Sequence, residues 1–143
     1  MKCTTFLNED REEEVLIYTH SRTKLVSEIE RLCSNDSLEL IGFKEKSIIK
    51  LSVSDVFCFV VEDNKIFAIF ENDKILIKKR LYEIEENLDS SFVKINQSCI
   101  VNIKKIDKFE ASFSGALMVT LKNGYRDYVS RRRLKFVKER IGF

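Results

Sequence analysis

Three consecutive arginines, Arg131–Arg133, are the residues of this sequence best suited to bind a ligand. They follow Ser130, a residue type that caps helices, so they would occupy the first turn of a C-terminal helix. That turn carries the positive end of the helix dipole, and each cation placed there costs about 0.3–1 kcal/mol. A phosphate would reverse the effect, because backbone N–H groups, the dipole and the arginines all attract an anion. The alternative is that one arginine pairs with Asp127 or Glu139 and the others are solvated.

A second polar cluster interrupts an apolar stretch of the chain. Lys94, Asn96, Gln97 and Ser98 lie among the apolar neighbours of this stretch. Asn and Gln side chains match the hydrogen-bonding edge of adenine in the DNA major groove, as arginine matches that of guanine. The same residue types also form ordinary turns, which is the alternative interpretation.

Basic charge is concentrated at the C-terminal end. Residues 1–37 hold five basic and eight acidic side chains, and residues 38–121 hold 12 and 13. Residues 122–143 hold eight basic and two acidic side chains, although the whole chain of 143 residues has a net charge of only +2. A basic end on a nearly neutral chain indicates an anionic partner, and a solvated tail is the alternative.

Several enzyme classes are excluded by what the sequence lacks. The chain has four glycines, none within eight positions of another, so it contains no P-loop, dinucleotide fingerprint or nucleophile elbow. His20 is the single histidine, and the four cysteines show no C-x-x-C spacing. We therefore expect no enzyme activity, no cofactor, no metal and no small-molecule substrate. The cysteines, most of which lie in apolar runs, are expected to be buried free thiols: Cys3, Cys33, Cys58 and Cys99.

The N-terminus lacks the apolar region of a signal peptide, and no apolar run approaches the ~20 residues of a membrane span. These features predict a reduced, cytoplasmic protein.

Short extended segments dominate the pattern, with three helices among them. The first helix is expected over Ser21–Ser34, capped by Ser21; a second is marked by Leu81, Ile84 and Leu88; and the third begins after Ser130. Successive strands with tight turns predict an antiparallel meander. The predicted strands are Thr4–Leu7, Val15–Tyr18, Leu38–Phe43, Ser47–Leu51, Val56–Val61, Lys65–Phe70, Lys74–Lys78, Phe92–Ile95, Ser98–Ile103, Ile106–Phe109, Leu117–Leu121 and, after an Asn123-Gly124 hairpin turn, Tyr125–Val129.

Two stretches, FVKINQSCIVNIKKI and LKNGYRDYVSRRRLKFVKERI, resemble the signature of the LytTR DNA-binding domain. The upstream piece SVSDVFCFVVEDNKIFAIF resembles a third segment of that family, beginning at Asp55. All three occur in the family's order, and the resemblance covers about residues 38–143. The matching positions are Phe92, Lys94, Ser98, Ile100, Val101, Asn102, Ile106, Asn123, Gly124, Ser130, Arg131 and Arg132.

The resemblance implies a mainly β fold with helices at its edges, an elongated sandwich of antiparallel sheets. Such domains read double-stranded DNA with loops set in successive major grooves. Carried over, the base-contacting residues are Gln97 with Asn96 in a middle loop, Arg132 at the helix start, and Asn64 and Lys65 in the Glu62–Lys65 turn. Asn96 stands where relatives commonly carry histidine, so the target sequence should differ from theirs.

Phosphate contacts are expected from basic residues near these loops, and such contacts set register and affinity rather than sequence choice. The candidates are Lys94, Lys104, Lys105, Arg131, Arg133, Lys135 and Lys138. Asn102 and Ser98 are expected to be structural, bonding to their own loop.

Residues 1–37 form an N-terminal strand-and-helix segment, and residues 38–143 form the LytTR-like domain. A phospho-acceptor receiver needs about 120 residues, so we expect none before the domain and no phosphorylation by a histidine kinase. In the short branch of the family, control is often by a membrane-bound antagonist. The N-terminal helix would pack on the domain or pair two copies in a homodimer.

The sequence thus predicts a DNA-binding transcriptional regulator. The main alternative is a protein-interaction module whose basic C-terminus binds an acidic partner. A single-stranded nucleic-acid binder would need exposed aromatic residues, but Phe57, Phe59, Phe67 and Phe92 fall in apolar runs typical of a core.

Overall fold

The computed structural model of the chain describes residues 4, 10, 14–34 and 39–143. The chain divides into two units, Met1–Asp36 and Ser37–Phe143, and each is described by itself.

The described residues of the first unit contain one helix, α1 (Lys24–Ser34). Its cap is Thr23, whose Oγ1 accepts a hydrogen bond from the Val26 backbone N–H at 3.3 Å. The predicted cap, Ser21, is wrong, because Ser21 lies outside the helix and its N–H bonds to Thr19 Oγ1 at 3.3 Å instead. Val15–Tyr18 forms no strand, since these residues have no ladder partner. The predicted strand Thr4–Leu7 lies, except for Thr4, outside the described residues.

The second unit is mainly β, with ten strands and two helices among the described residues. The strands are β1 (Glu39–Lys44), β2 (Ser47–Ser52), β3 (Cys58–Glu62), β4 (Lys65–Ile69), β5 (Lys74–Ile77), β6 (Phe92–Asn96), β7 (Cys99–Asn102), β8 (Ile106–Ala111), β9 (Leu117–Leu121) and β10 (Arg126–Val129). The helices are α2 (Leu81–Asn87) and α3 (Arg131–Ile141), and short 3₁₀ turns span Val53–Asp55 and Ile103–Lys105. The mainly β fold class is confirmed.

Seven strands form one antiparallel sheet in the order β2-β1-β5-β4-β3-β7-β6, and three form a second in the order β10-β9-β8. The prediction of a continuous meander is wrong at β1 and β2, because β5 rather than β3 extends the hairpin. Gly42 permits this pairing: a Cβ at Gly42 would lie 2.3 Å from Cγ2 of Ile75 on β5. The chain leaves β2 through Val53–Asp55, where Val53 packs against the core.

Alternation along the central strand β3 sends side chains to both faces of the large sheet. Phe59 packs on one face with Leu81 and Ile84 of α2. Cys58 and Val60 pack on the other, against the small sheet and α3. The buried residues contributed from that second side are Val119, Leu121, Val129 and Val137. The large sheet is therefore covered by α2 on one face and by the small sheet with α3 on the other.

Candidate nucleic-acid interface

Three polar elements meet at one edge of the large sheet: the first loop (Glu62–Lys65), the middle loop (Asn96–Ser98) and the helix start (Ser130–Arg133). The first and middle loops are joined where Val61 N–H donates to the Ser98 carbonyl at 2.9 Å. The middle loop and the helix start are joined where Ser130 N–H donates to the Ile95 carbonyl at 2.9 Å. Backbone hydrogen bonds therefore place side by side the three elements that sequence reasoning selected separately.

Asn96 is occupied by bonds within the protein. Its Nδ2 donates to Asp127 Oδ1 at 3.1 Å and to the Tyr128 carbonyl at 2.8 Å, and its Oδ1 accepts from Ser98 N–H at 2.8 Å. Both amide hydrogens are used, so none remains to donate to a base. In this structure Asn96 holds the middle loop against β10, and its base contact stays a prediction.

Gln97 is exposed in the middle loop, at the turn between β6 and β7. Among the described residues, none forms a hydrogen bond with its side chain. Its amide is therefore available to a ligand. The hydrogen bonds of its neighbour Asn96 hold the loop that carries it.

Behind the middle loop lies a cluster of titratable groups. Cys58 and Cys99 are buried free thiols, as predicted, and a hydrogen bond between the Cys99 thiol and Cys58, then burial, raises the pKa of Cys99. Burial, followed by the nearby Cys99 and Asp127, raises the pKa of Tyr125 above its usual range. Cys99 and Tyr125 therefore stay uncharged at neutral pH. Cys33 is exposed, contrary to expectation, because it lies on an open face of α1, and Cys3 is outside the described residues.

At the helix start, Arg131 and Arg132 are exposed and Arg133 is partly buried. Arg133 Nε donates to the Lys94 carbonyl at 2.9 Å, and its guanidinium lies 4.4 Å from the centroid of the Phe136 ring. Arg133 thus attaches the helix to β6 through Nε, and its phosphate contact stays a prediction. None of the three arginines forms a salt bridge with Asp127 or Glu139, all five residues being described, so the charge of Arg131 and Arg132 is uncompensated.

The first loop is a two-residue hairpin turn in which Asp63 and Asn64 have φ angles of 50° and 60°. Such a turn favours Asn and Asp at both positions. Its acidic character is reduced by an ion pair between Glu62 and Lys74. Asn64 and Lys65 are both exposed.

The predicted phosphate contacts separate into two groups. Arg131, Lys135 and Lys138 are exposed on α3. The Lys94 side chain is only 25% exposed and lies 3.6 Å from Glu85 of α2, so it faces another helix. Lys104 and Lys105 follow the opposite end of β7, remote from the middle loop along that strand.

The polar residue Asn102 is structural, as expected. It is buried, its Nδ2 donates to the Val56 carbonyl at 2.9 Å, and its Oδ1 accepts from Lys104 N–H at 3.1 Å. It therefore joins the end of β7 to Val56, just before the start of β3.

Comparison with known proteins gives consistent results. The family model described as the LytTr DNA-binding domain matches residues 46–142. Uncharacterized HTH-type transcriptional regulators of Staphylococcus aureus strains MSSA476 and MW2 are each 36% identical over 146 residues, covering 99% of this chain and 98% of theirs. A LytTr DNA-binding domain from Bacillus cereus shares the fold with a TM-score of 0.69 at 24% identity, over 73% of this chain and 97% of that one.

The relatives' name refers to a helix-turn-helix, but α2 and α3 are separated by five strands. No such motif occurs in residues 39–143. The described helices include none long and apolar enough to cross a membrane, and among the described side chains no group of three or more His, Cys, Asp and Glu could hold a metal ion.

Proposed function

The chain belongs to the LytTR DNA-binding domain family, and from this premise we propose that it regulates transcription by reading the major groove of double-stranded DNA with loops. One observation carries this proposal. Gln97 and Arg132, which suit adenine and guanine respectively, are both exposed on elements that backbone hydrogen bonds hold side by side. A sequence can be read only by groups whose separation is fixed, and this edge supplies such a pair.

The roles follow from side-chain chemistry. We assign base contacts to Gln97 and Arg132, with Asn64 and Lys65 as the contacts of the first loop. Arg131, Lys135 and Lys138 would bind phosphates, aided by the backbone N–H groups at the start of α3. Asn96 and Arg133 would position the loops, because their polar groups are bonded within the protein.

For the N-terminal segment, residues 1–37, we infer a role in pairing two copies. Leu25 and Leu32 of α1 are 47% and 71% exposed, and Cys33 lies beside them. Analytical ultracentrifugation of Leu25→Ser with Leu32→Ser should show a lighter species than the native chain. An unchanged mass would contradict the homodimer and favour another partner for this helix, such as a membrane-bound regulator. A regulator that binds chromosomal DNA would act in the cytoplasm.

Selection of bound duplexes from a random DNA pool at physiological salt tests the function directly. A sharp motif, read as two short elements about one helical turn apart, is expected. Enrichment without a motif would contradict sequence-specific reading. It would favour the second candidate function, a module whose uncompensated C-terminal cations bind an acidic protein.

A further inference from the structure

A second cationic segment, the basic triplet Lys78–Arg80, lies at the same sheet edge. Its three residues are consecutive, exposed, and follow β5 directly. None of them forms a salt bridge with a described residue. Three adjacent like charges repel one another, so an anionic partner would lower the energy of this segment.

Strand register places the basic triplet beside the first loop. Ile66 of β4 pairs with Ile77 of β5, so Lys65 and Lys78 occupy the next positions outward on the two strands. Residues opposite each other in a ladder project to the same face. The Lys78 Nζ lies 4.2 Å from the centroid of the Phe43 ring, which holds this ammonium group against the sheet.

The sheet order sets a spacing between the two cationic elements. The row along this edge runs from the helix start to the middle loop, the first loop and then the basic triplet. Strands lie about 4.8 Å apart, so β6 and β5, four positions apart, are separated by about 19 Å along the sheet. The major groove is about 12 Å wide. The cations at the two ends of the row are therefore farther apart than the width of one major groove. At these two positions they would face the phosphates on either side of the groove.

We propose that the basic triplet is a second phosphate-contact surface, which holds the DNA backbone on the side of the operator bound by the first loop. This inference rests on the proposed function. Three carboxylates lie nearby: Glu62 is paired with Lys74, Glu83 accepts a hydrogen bond from the Arg80 backbone N–H at 2.9 Å, and Asp63 lies in the first loop. The four cations, Lys65 and the triplet, outnumber Asp63 and Glu83.

The test uses the full chain carrying Lys78→Gln, Lys79→Gln and Arg80→Gln together. A matched control carries Lys46→Gln, Lys50→Gln and Lys108→Gln, which removes the same charge from exposed sites outside the row. Affinity is measured between 50 and 200 mM salt on the selected operator and on a random duplex. Losing three phosphate contacts lowers the salt slope by about 2.7, so the native chain should lose about 40-fold more affinity than the variant over this range. Ethylation interference should detect fewer phosphate contacts for the variant than for the native chain, and on one flank of the operator only.

Three outcomes would overturn the inference. An equal change in slope for the control would mean that total charge, not the triplet, is responsible. An unchanged slope would also overturn it, and would direct attention to an acidic protein as the partner of this segment. Loss of phosphate contacts on both flanks of the operator would contradict the location assigned to the basic triplet. Failure of the proposed function is recognised separately, because the native chain would then not distinguish operator from random DNA, whereas the slopes of variant and control would still differ.

Discussion

The middle loop and the first loop are both hairpin turns at the same sheet edge, yet they are held in different ways. The middle loop is bonded to β10 by the two hydrogen bonds that Asn96 Nδ2 donates, and Asn96 Oδ1 accepts a third from Ser98 N–H within the loop. The first loop projects from β3 and β4 as a two-residue turn, and its Glu62 forms an exposed ion pair with Lys74. An exposed ion pair contributes about 0–1 kcal/mol, so the two loops differ in how firmly their side chains are positioned.

This difference shows that a residue type suited to base contact need not make one. Asn96 has the amide that adenine recognition requires, but that amide is used to fix the loop on which Gln97 stands. The firmly held loop should therefore determine sequence, and the first loop should adjust affinity. Substitutions on the two loops can separate these effects.

The largest effect is expected from Asn96→Ala. It removes the three hydrogen bonds of the Asn96 side chain, to Asp127 Oδ1, to the Tyr128 carbonyl and from the Ser98 N–H. Three lost bonds amount to about 3 kcal/mol in the free energy of unfolding. Urea denaturation measures this change. Asp127→Asn is the matched control, because its Oδ1 can still accept from Asn96. A loss below 0.5 kcal/mol, well under one hydrogen bond, would show that Asn96 does not hold the loop.

Arg132→Ala should reduce operator affinity by about 1–3 kcal/mol, or roughly 5- to 150-fold, and relax preference at one base pair. Arg132→Lys keeps the charge but loses the bidentate fork, so it should recover affinity for random DNA and not the preference. Lys135→Ala should weaken all sequences alike and lower the salt slope by about one. If Arg132→Ala and Lys135→Ala weaken operator and random DNA equally, Arg132 does not read a base.

A structural feature could be predicted from the sequence when the residues that determine it are close together along the chain. The helix start could be predicted because Ser130 and Arg131–Arg133 are adjacent, and helix dipole effects act within one turn. The bonds of Asn96 could not, since Asp127 lies 31 residues away. The pairing of β1 with β5 likewise depends on the close approach of Gly42 to Ile75, which no local pattern encodes.

Gln97→Ala should relax preference at a different base pair, with a cost of about 1 kcal/mol. Its stability should be unchanged, because its side chain is exposed and bonds to no described residue. Combined with Arg132→Ala, it also tests the rigid connection between the two elements. In the native chain the two losses should be coupled by at least 0.5 kcal/mol, and that coupling should fall in the Asn96→Ala background. Simple additivity in both backgrounds would mean that the middle loop and the helix start read DNA independently.

The smallest effect is expected on the first loop. Glu62→Gln removes a carboxylate beside the proposed DNA surface and releases Lys74 from its ion pair. Affinity should rise about twofold for operator and random DNA alike, since a charge at the rim of an interface acts mainly on the association rate. Stopped-flow measurements at two salt concentrations would show whether the association rate constant accounts for the gain. Glu110→Gln is the control, because Glu110 is another exposed carboxylate with a lysine partner. A gain confined to one operator base pair would instead make the first loop a reader of sequence, and the contrast between the two loops would disappear.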